Sequence, residues 1–107
     1  MNIQLLWVED CPNHEPAEKM LAEVLHELGV TEPIERIEVP DVETGGKVRF
    51  PGSPTIRING SDIEPGWESS GDYTPRCRLY MTSEGLRGLP ERGWVKGAVE
   101  LVKEGSY

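Results

Sequence analysis

The spacing of apolar positions changes several times along the chain, and each change predicts an element. Ile3 to Val8, which includes the unbroken apolar stretch Leu5 to Val8, is rich enough in large side chains for a strand buried on both faces, and Glu9-Asp10-Cys11-Pro12 ends it. From Ala17 onward the apolar residues fall at Ala17, Met20, Leu21, Val24, Leu25 and Leu28, drawing one stripe along an amphipathic helix that Gly29 stops. Pro16 lacks an N–H and fits only the first helical turn, so the helix is expected to start near Asn13. Ile34 to Val39 reads as a second strand, with Ile37 and Val39 facing one way and Glu38 the other. Asp41 to Arg49 contains Gly45-Gly46 and supports a loop or a short, poor helix.

Thr55 to Ile58 alternates cleanly and runs into Asn59-Gly60, a dipeptide that tolerates positive φ at both centres of a type I′ turn; a hairpin to a strand around Asp62 to Glu64 follows. Pro65 to Pro75 is polar and reads as a surface loop. Arg76 to Thr82 reads as a strand or extended edge segment. The last helix is announced by Pro90 near its first position and carries Trp94, Val95, Ala98, Leu101 and Val102 on one side, slightly weakened by Gly97. Strand, helix and strand in succession make the first two strands parallel through a right-handed crossover, and the hairpin adds antiparallel strands to the same sheet. The expectation is a single α/β domain over residues 1–107 with a mixed sheet of four or five strands flanked by helices.

Composition narrows the function classes. The chain has 107 residues, 11 Lys+Arg against 19 Asp+Glu, and a net charge of -8, a balance that disfavours nucleic acid and anionic membrane surfaces as partners. Two cysteines, Cys11 and Cys77, are too few for a disulfide scaffold and, without a histidine cluster, too few for zinc, so no metal and no cofactor is expected. The first basic residue is Lys19 and no long apolar stretch exists, which argues against a leader or a membrane span and for the cytoplasm, where thiols are kept reduced.

Two short motifs carry chemistry. In Cys11-Pro12-Asn13-His14 a thiol lies just outside a helix N-terminus, where unpaired N–H groups and the helix dipole favour thiolate, and one helical turn would bring the His14 ring back toward the sulfur. Glu9 and Asp10 oppose that effect. The plain alternatives are a cysteine that merely ends a buried strand and a solvated first-turn histidine. In Gly52-Ser53-Pro54-Thr55 a proline that cannot donate to the ladder opens a strand, a candidate cis bond that bends the chain to expose backbone. A third feature is the loop with Trp67, Asp72 and Tyr73, placed to overhang a site or to lie over the core.

Taken together, the corner cysteine, the helix, the second strand and the run Val48 to Gly60 through Ser53-Pro54-Thr55 and Asn59-Gly60 resemble the thioredoxin fold superfamily along nearly the whole chain. Within it, Cys11-Pro12, Gly52-Ser53-Pro54-Thr55 and Cys77-Arg78-Leu79-Tyr80 are similar to small bacterial thioredoxin-like proteins loosely labelled alkylmercury-lyase-like. The resemblance implies a cis Pro54 whose loop faces Cys11, with Pro12, Ser53, Pro54 and Thr55 on the substrate side and the Ser53 backbone pairing with a small thiol or a protein thiol or disulfide. It implies Cys11 as nucleophile, tuned by His14. The departure is that His14 stands where a C-x-x-C motif has its second cysteine. Monothiol exchange, a remote resolving cysteine or no catalysis then remain, and Cys77 is the one candidate for the remote partner. As alternatives, Cys77 is a small hydrophobe on the core face of a strand, the two thiols take a soft metal or an organomercurial with a carboxylate such as Asp10 delivering a proton, or the domain only binds.

Overall fold

The computed structural model describes residues 1–104. Its elements are β1 (Ile3–Trp7), α1 (His14–Glu27), β2 (Ile34–Glu38), α2 (Val42–Val48), β3 (Thr55–Ile58), β4 (Ser61–Asp62), β5 (Tyr80–Thr82), β6 (Gly85–Arg87) and α3 (Arg92–Lys103). One four-stranded mixed sheet has the order β2-β1-β3-β4, with β1 parallel to β2 and antiparallel to β3. The β3–β4 hairpin turns on Asn59 at φ 52° and Gly60 at φ 83°, the positive values that a type I′ turn requires, and pairs Ile58 with Ser61.

The central strand is buried on both faces, as its composition predicts. Ile3 and Leu5 pack with Ala17, Leu21, Val24 and Leu25 of α1 and Val95 and Val99 of α3, while Leu6 packs on the other side with Val39, Phe50 and Val48 of α2. Each large side chain so buried contributes about 1.5–3 kcal/mol. Asn13 occupies the N-cap position of α1, and the apolar stripe lands on the core. The glycine-rich stretch becomes a true helix because Asp41 caps it, its carboxylate accepting from the Thr44 N–H at 2.8 Å.

Of the four or five strands expected, four form the sheet: β5 pairs with β6 in a separate hairpin, and the segment before it touches the main sheet region through a single bridge, Ser53 with Cys77. Two expectations need correction. Pro90 precedes α3 rather than opening it, since Glu91 is the N-cap residue and its carboxylate accepts from the Ser83 N–H. Leu101 is 46% exposed; the buried positions of α3 are Val95 and Val99, one turn apart on the face that meets α1. Among the described residues no helix is long and apolar enough to cross a membrane.

Candidate functional site

Where β1 ends, the Cys11 N–H donates to the Val8 carbonyl at 3.1 Å, closing a turn that carries the sulfur under the strand-β3 entrance. There the Cys11 thiol donates to the Ser53 carbonyl at 3.5 Å, and the residue is 1% exposed. Ser53 is fixed from three sides. Its Oγ accepts from the Val8 N–H at 3.1 Å, its N–H donates to the Arg76 carbonyl at 2.8 Å, and its carbonyl accepts from the Arg78 N–H at 2.8 Å. The Ser53–Pro54 peptide is cis. Segment 76–78 therefore lies parallel to the Pro54 loop and brings Cys77 to Ser53, the residue that the Cys11 thiol contacts, although the two cysteines stand sixty-six positions apart in the chain.

Both cysteines are free thiols, and they differ in access: Cys11 is buried and Cys77 exposed. Partial desolvation pushes the Cys77 thiol above its ordinary value, and hydrogen bonding to and charge on the adjoining Cys11, then the charge of Asp10, push it the same way. An exposed Cys77 is not the small core hydrophobe that an alternating strand permits. Its neighbour Leu79 is exposed on the same side, and Arg78 and Tyr80 are buried on the other.

Comparison with known protein families, curated proteins and solved structures finds no match to this chain.

The other expected residues divide. Ser53 and Thr55 are fully buried and bonded to their own chain, and the Ser53 backbone, expected to pair with a substrate, is already paired with segment 76–78. Ser53, Pro54 and Thr55 thus form the floor of the site, while Pro12 is exposed at its margin. His14 does not reach the sulfur; its ring stacks on Trp7 with centroids 4.5 Å apart and an interplanar angle of 24°. At the first helical position the side chain turns to the sheet side, where that indole offers more contact than a buried thiol. Trp67, Asp72 and Tyr73 do overhang the site, lining with Arg76 and Leu79 a cleft of about 280 Å³ beside Cys77.

Beneath Cys77 lies a charged anchor. Arg78 donates through Nη1 to Asp62 Oδ2 at 2.7 Å and Thr55 Oγ1 at 2.9 Å, and through Nη2 to Asp62 Oδ1 at 3.1 Å and Glu64 Oε1 at 2.8 Å. Its guanidinium lies 4.3 Å from the centroid of Tyr80, whose hydroxyl donates to the Pro54 carbonyl at 2.5 Å. Burial pushes the Tyr80 phenol far above its usual range, so it remains a donor at every ordinary pH. The sequence reading missed this cluster, but its signal was present: Asp62 and Glu64, and Arg78 and Tyr80, are each two residues apart, the spacing that puts side chains on one face of extended chain.

Close approach at this anchor also dictates Gly52. Its φ is +132°, and a Cβ there would stand 2.7 Å from Arg78 Cβ and 3.2 Å from Arg78 Cα. Gly52→Ala is expected to cost about 2 kcal/mol or more, from the backbone conformation and the contact together. Urea unfolding that leaves the midpoint unchanged would show that segment 76–78 does not pack against the loop as described.

Proposed function

We propose that this chain is a thioredoxin-like thiol redox protein whose working unit is the pair Cys11 and Cys77. The observation that carries the reading is the meeting of the two cysteines at Ser53, with the Cys11 thiol hydrogen-bonded to the Ser53 carbonyl, the backbone around Cys77 bridged to the Ser53 backbone, and the two cysteine side chains interacting. A strand-helix-strand start with a proline-entered antiparallel hairpin and a closing helix supports the thioredoxin-like assignment. A remote dithiol performs the exchange that a C-x-x-C motif performs locally: one sulfur forms a mixed disulfide with the substrate and the other displaces the substrate thiol. In a reducing compartment such as the cytoplasm the resting form is the dithiol. Reduced protein is expected to reduce a small disulfide with two thiols released per chain, and Cys11→Ser and Cys77→Ser are each expected to lose that stoichiometry. Equal yields from wild type and both variants would contradict the reading.

The surroundings of Cys77 select among disulfides. Glu64, Glu68 and Asp72 line its cleft with Arg76 and Arg78; Arg76 pairs with Asp72 and Arg78 with Asp62 and Glu64, so the charges acting on Cys77 outside those ion pairs are those of Glu68 and Asp10, both negative. The substrate side is therefore a neutral or cationic thiol or disulfide, a protein with a basic surface included. Cystamine is expected to react about tenfold faster than oxidised glutathione at low salt, with the gap closing as salt rises. A faster reaction with the anionic disulfide would contradict this charge assignment.

Adjacent thiols also favour a second reading, soft-metal or organomercurial handling, because two thiolates suit such ions. Among the described residues no third metal-ligating side chain converges on the pair, so the site would hold such an ion by two sulfurs. Protection of both cysteines from alkylation by one equivalent of a mercurial, without turnover of disulfides, distinguishes that reading.

A further inference from the structure

Access and anchoring differ between the two thiols, and that difference orders the reaction. Cys11 is 1% exposed and lies beneath Ser53, whereas Cys77 is exposed beside an open cleft. A disulfide bound in the cleft meets the Cys77 sulfur first. The backbone of Cys77 is at the same time held on both sides, through Arg76 to the Ser53 N–H and through Arg78 to the Ser53 carbonyl, and the buried Arg78 ion pairs hold it from below. A group attached to Cys77 therefore stays next to Cys11. Rates of thiol-disulfide exchange depend on access, so the accessible sulfur is the one an incoming disulfide reaches and the shielded one reaches only the neighbouring mixed disulfide.

We infer that substrate disulfides enter at Cys77, and that Cys11 is the resolving sulfur, the reverse of the order suggested by the place of Cys11 at the strand-helix corner. This order rests on the dithiol reading proposed above. In the first step the Cys77 thiolate attacks one sulfur of the substrate disulfide, forming the Cys77–substrate bond and releasing the first substrate thiolate. In the second the Cys11 thiolate attacks the Cys77 sulfur, forming the Cys11–Cys77 bond and releasing the second. The substrate disulfide gains two electrons, the protein dithiol loses them, and the two protons of the protein thiols end on the two released thiols. An external low-molecular-weight thiol returns the protein to the dithiol by the same exchanges in reverse. The entry sulfur is a slow nucleophile at neutral pH because its thiol is held protonated, and entry accelerates as the pH rises through its raised pKa.

The test uses the folded 107-residue chain and an aromatic disulfide that releases a coloured thiolate. Cys11→Ser is expected to stop at a stable mixed disulfide on Cys77, located by peptide mapping. Cys77→Ser is expected to react slower by about tenfold or more, because its remaining thiol is exposed only when the chain opens locally. Cys11→Ala serves as a second variant at the buried position, and unfolding in denaturant shows that each variant is folded. Rapid labelling of Cys77→Ser at Cys11 with a slow Cys11→Ser would overturn the order while leaving the dithiol reading intact. A wild-type chain that keeps the mixed disulfide on Cys77 and forms no internal bond would overturn resolution by Cys11 and with it the dithiol reading.

Discussion

Oxidation of the reduced protein is expected to raise its thermal unfolding midpoint by roughly 15 °C. A bond between Cys11 and Cys77 would close a loop of sixty-six residues. On the chain-entropy account a loop of that length restricts the unfolded state enough to stabilise the native one by about 4 kcal/mol. Engineered bridges usually deliver less because they distort the fold, but here the two side chains already interact in the reduced chain, and Ser53 holds the Cys11 thiol through its carbonyl and the Cys77 segment through its backbone. The comparison is between reduced and oxidised wild type by calorimetry, with Cys11→Ser and Cys77→Ser as controls whose midpoints do not respond to oxidant. An oxidised protein that melts at or below the reduced one would mean that the bond strains the fold and that the sulfurs are not placed for it.

The second large effect is at Arg78. Its side chain is 6% exposed and that of Asp62 3% exposed, so this ion pair is buried, unlike the surface pairs of Arg92 with Glu23 and Glu27. Surface pairs contribute little, whereas removing one partner of a buried pair leaves a charge without water or counter-ion and costs about 3–5 kcal/mol. Arg78→Met fills similar volume but strands Asp62 and Glu64, and is expected to lose that amount in urea unfolding. Adding Asp62→Asn to the same chain is expected to recover part of the loss, because the more deeply buried of the two uncompensated charges is then gone while the acceptor for the Glu64 N–H stays. Arg78→Lys does not rescue, since an ammonium cannot reach Thr55, Asp62 and Glu64 together. An Arg78→Met chain as stable as wild type would show that the cluster does not anchor segment 76–78.

How far the sequence can be read follows from whether an interaction is local. Helix α1 and the Asn59-Gly60 hairpin were legible because a periodic stripe and a turn dipeptide act within a few residues. The buried central strand was legible because packed layers cover both of its faces and demand apolar side chains on each. Helix α2 was ambiguous because its glycines argue against a helix and only the Asp41 cap argues for one. The separate β5–β6 hairpin was missed because Ser83-Glu84 is not a turn dipeptide of the favoured kind, and it is instead held by Thr82 Oγ1 and the Glu91 carboxylate. Leu101 was misassigned because helical spacing alone does not tell the flank of an apolar face from its centre.

The same distinction applies to the site. Cys11 at the corner and Pro54 at the strand entrance could be found from sequence because each is marked by its own neighbours. Cys77 could be named as the one remote candidate, but its meeting with Cys11 could not be read, because it depends on a backbone bridge between Ser53 and a loop-borne segment, and a backbone bridge leaves no mark on side-chain type. The helical spacing that pointed His14 at the sulfur did not foresee that the ring stacks on Trp7.

The most direct test of the dithiol is to equilibrate the folded protein in a series of thiol-disulfide buffers, quench with acid, and map the cysteine-containing peptides without reduction. The account predicts one species growing with the oxidant, a peptide pair joined through Cys11 and Cys77, fully reversed by excess thiol. Accumulation of a mixed disulfide on Cys77 with Cys11 still free, at every buffer ratio, would contradict it.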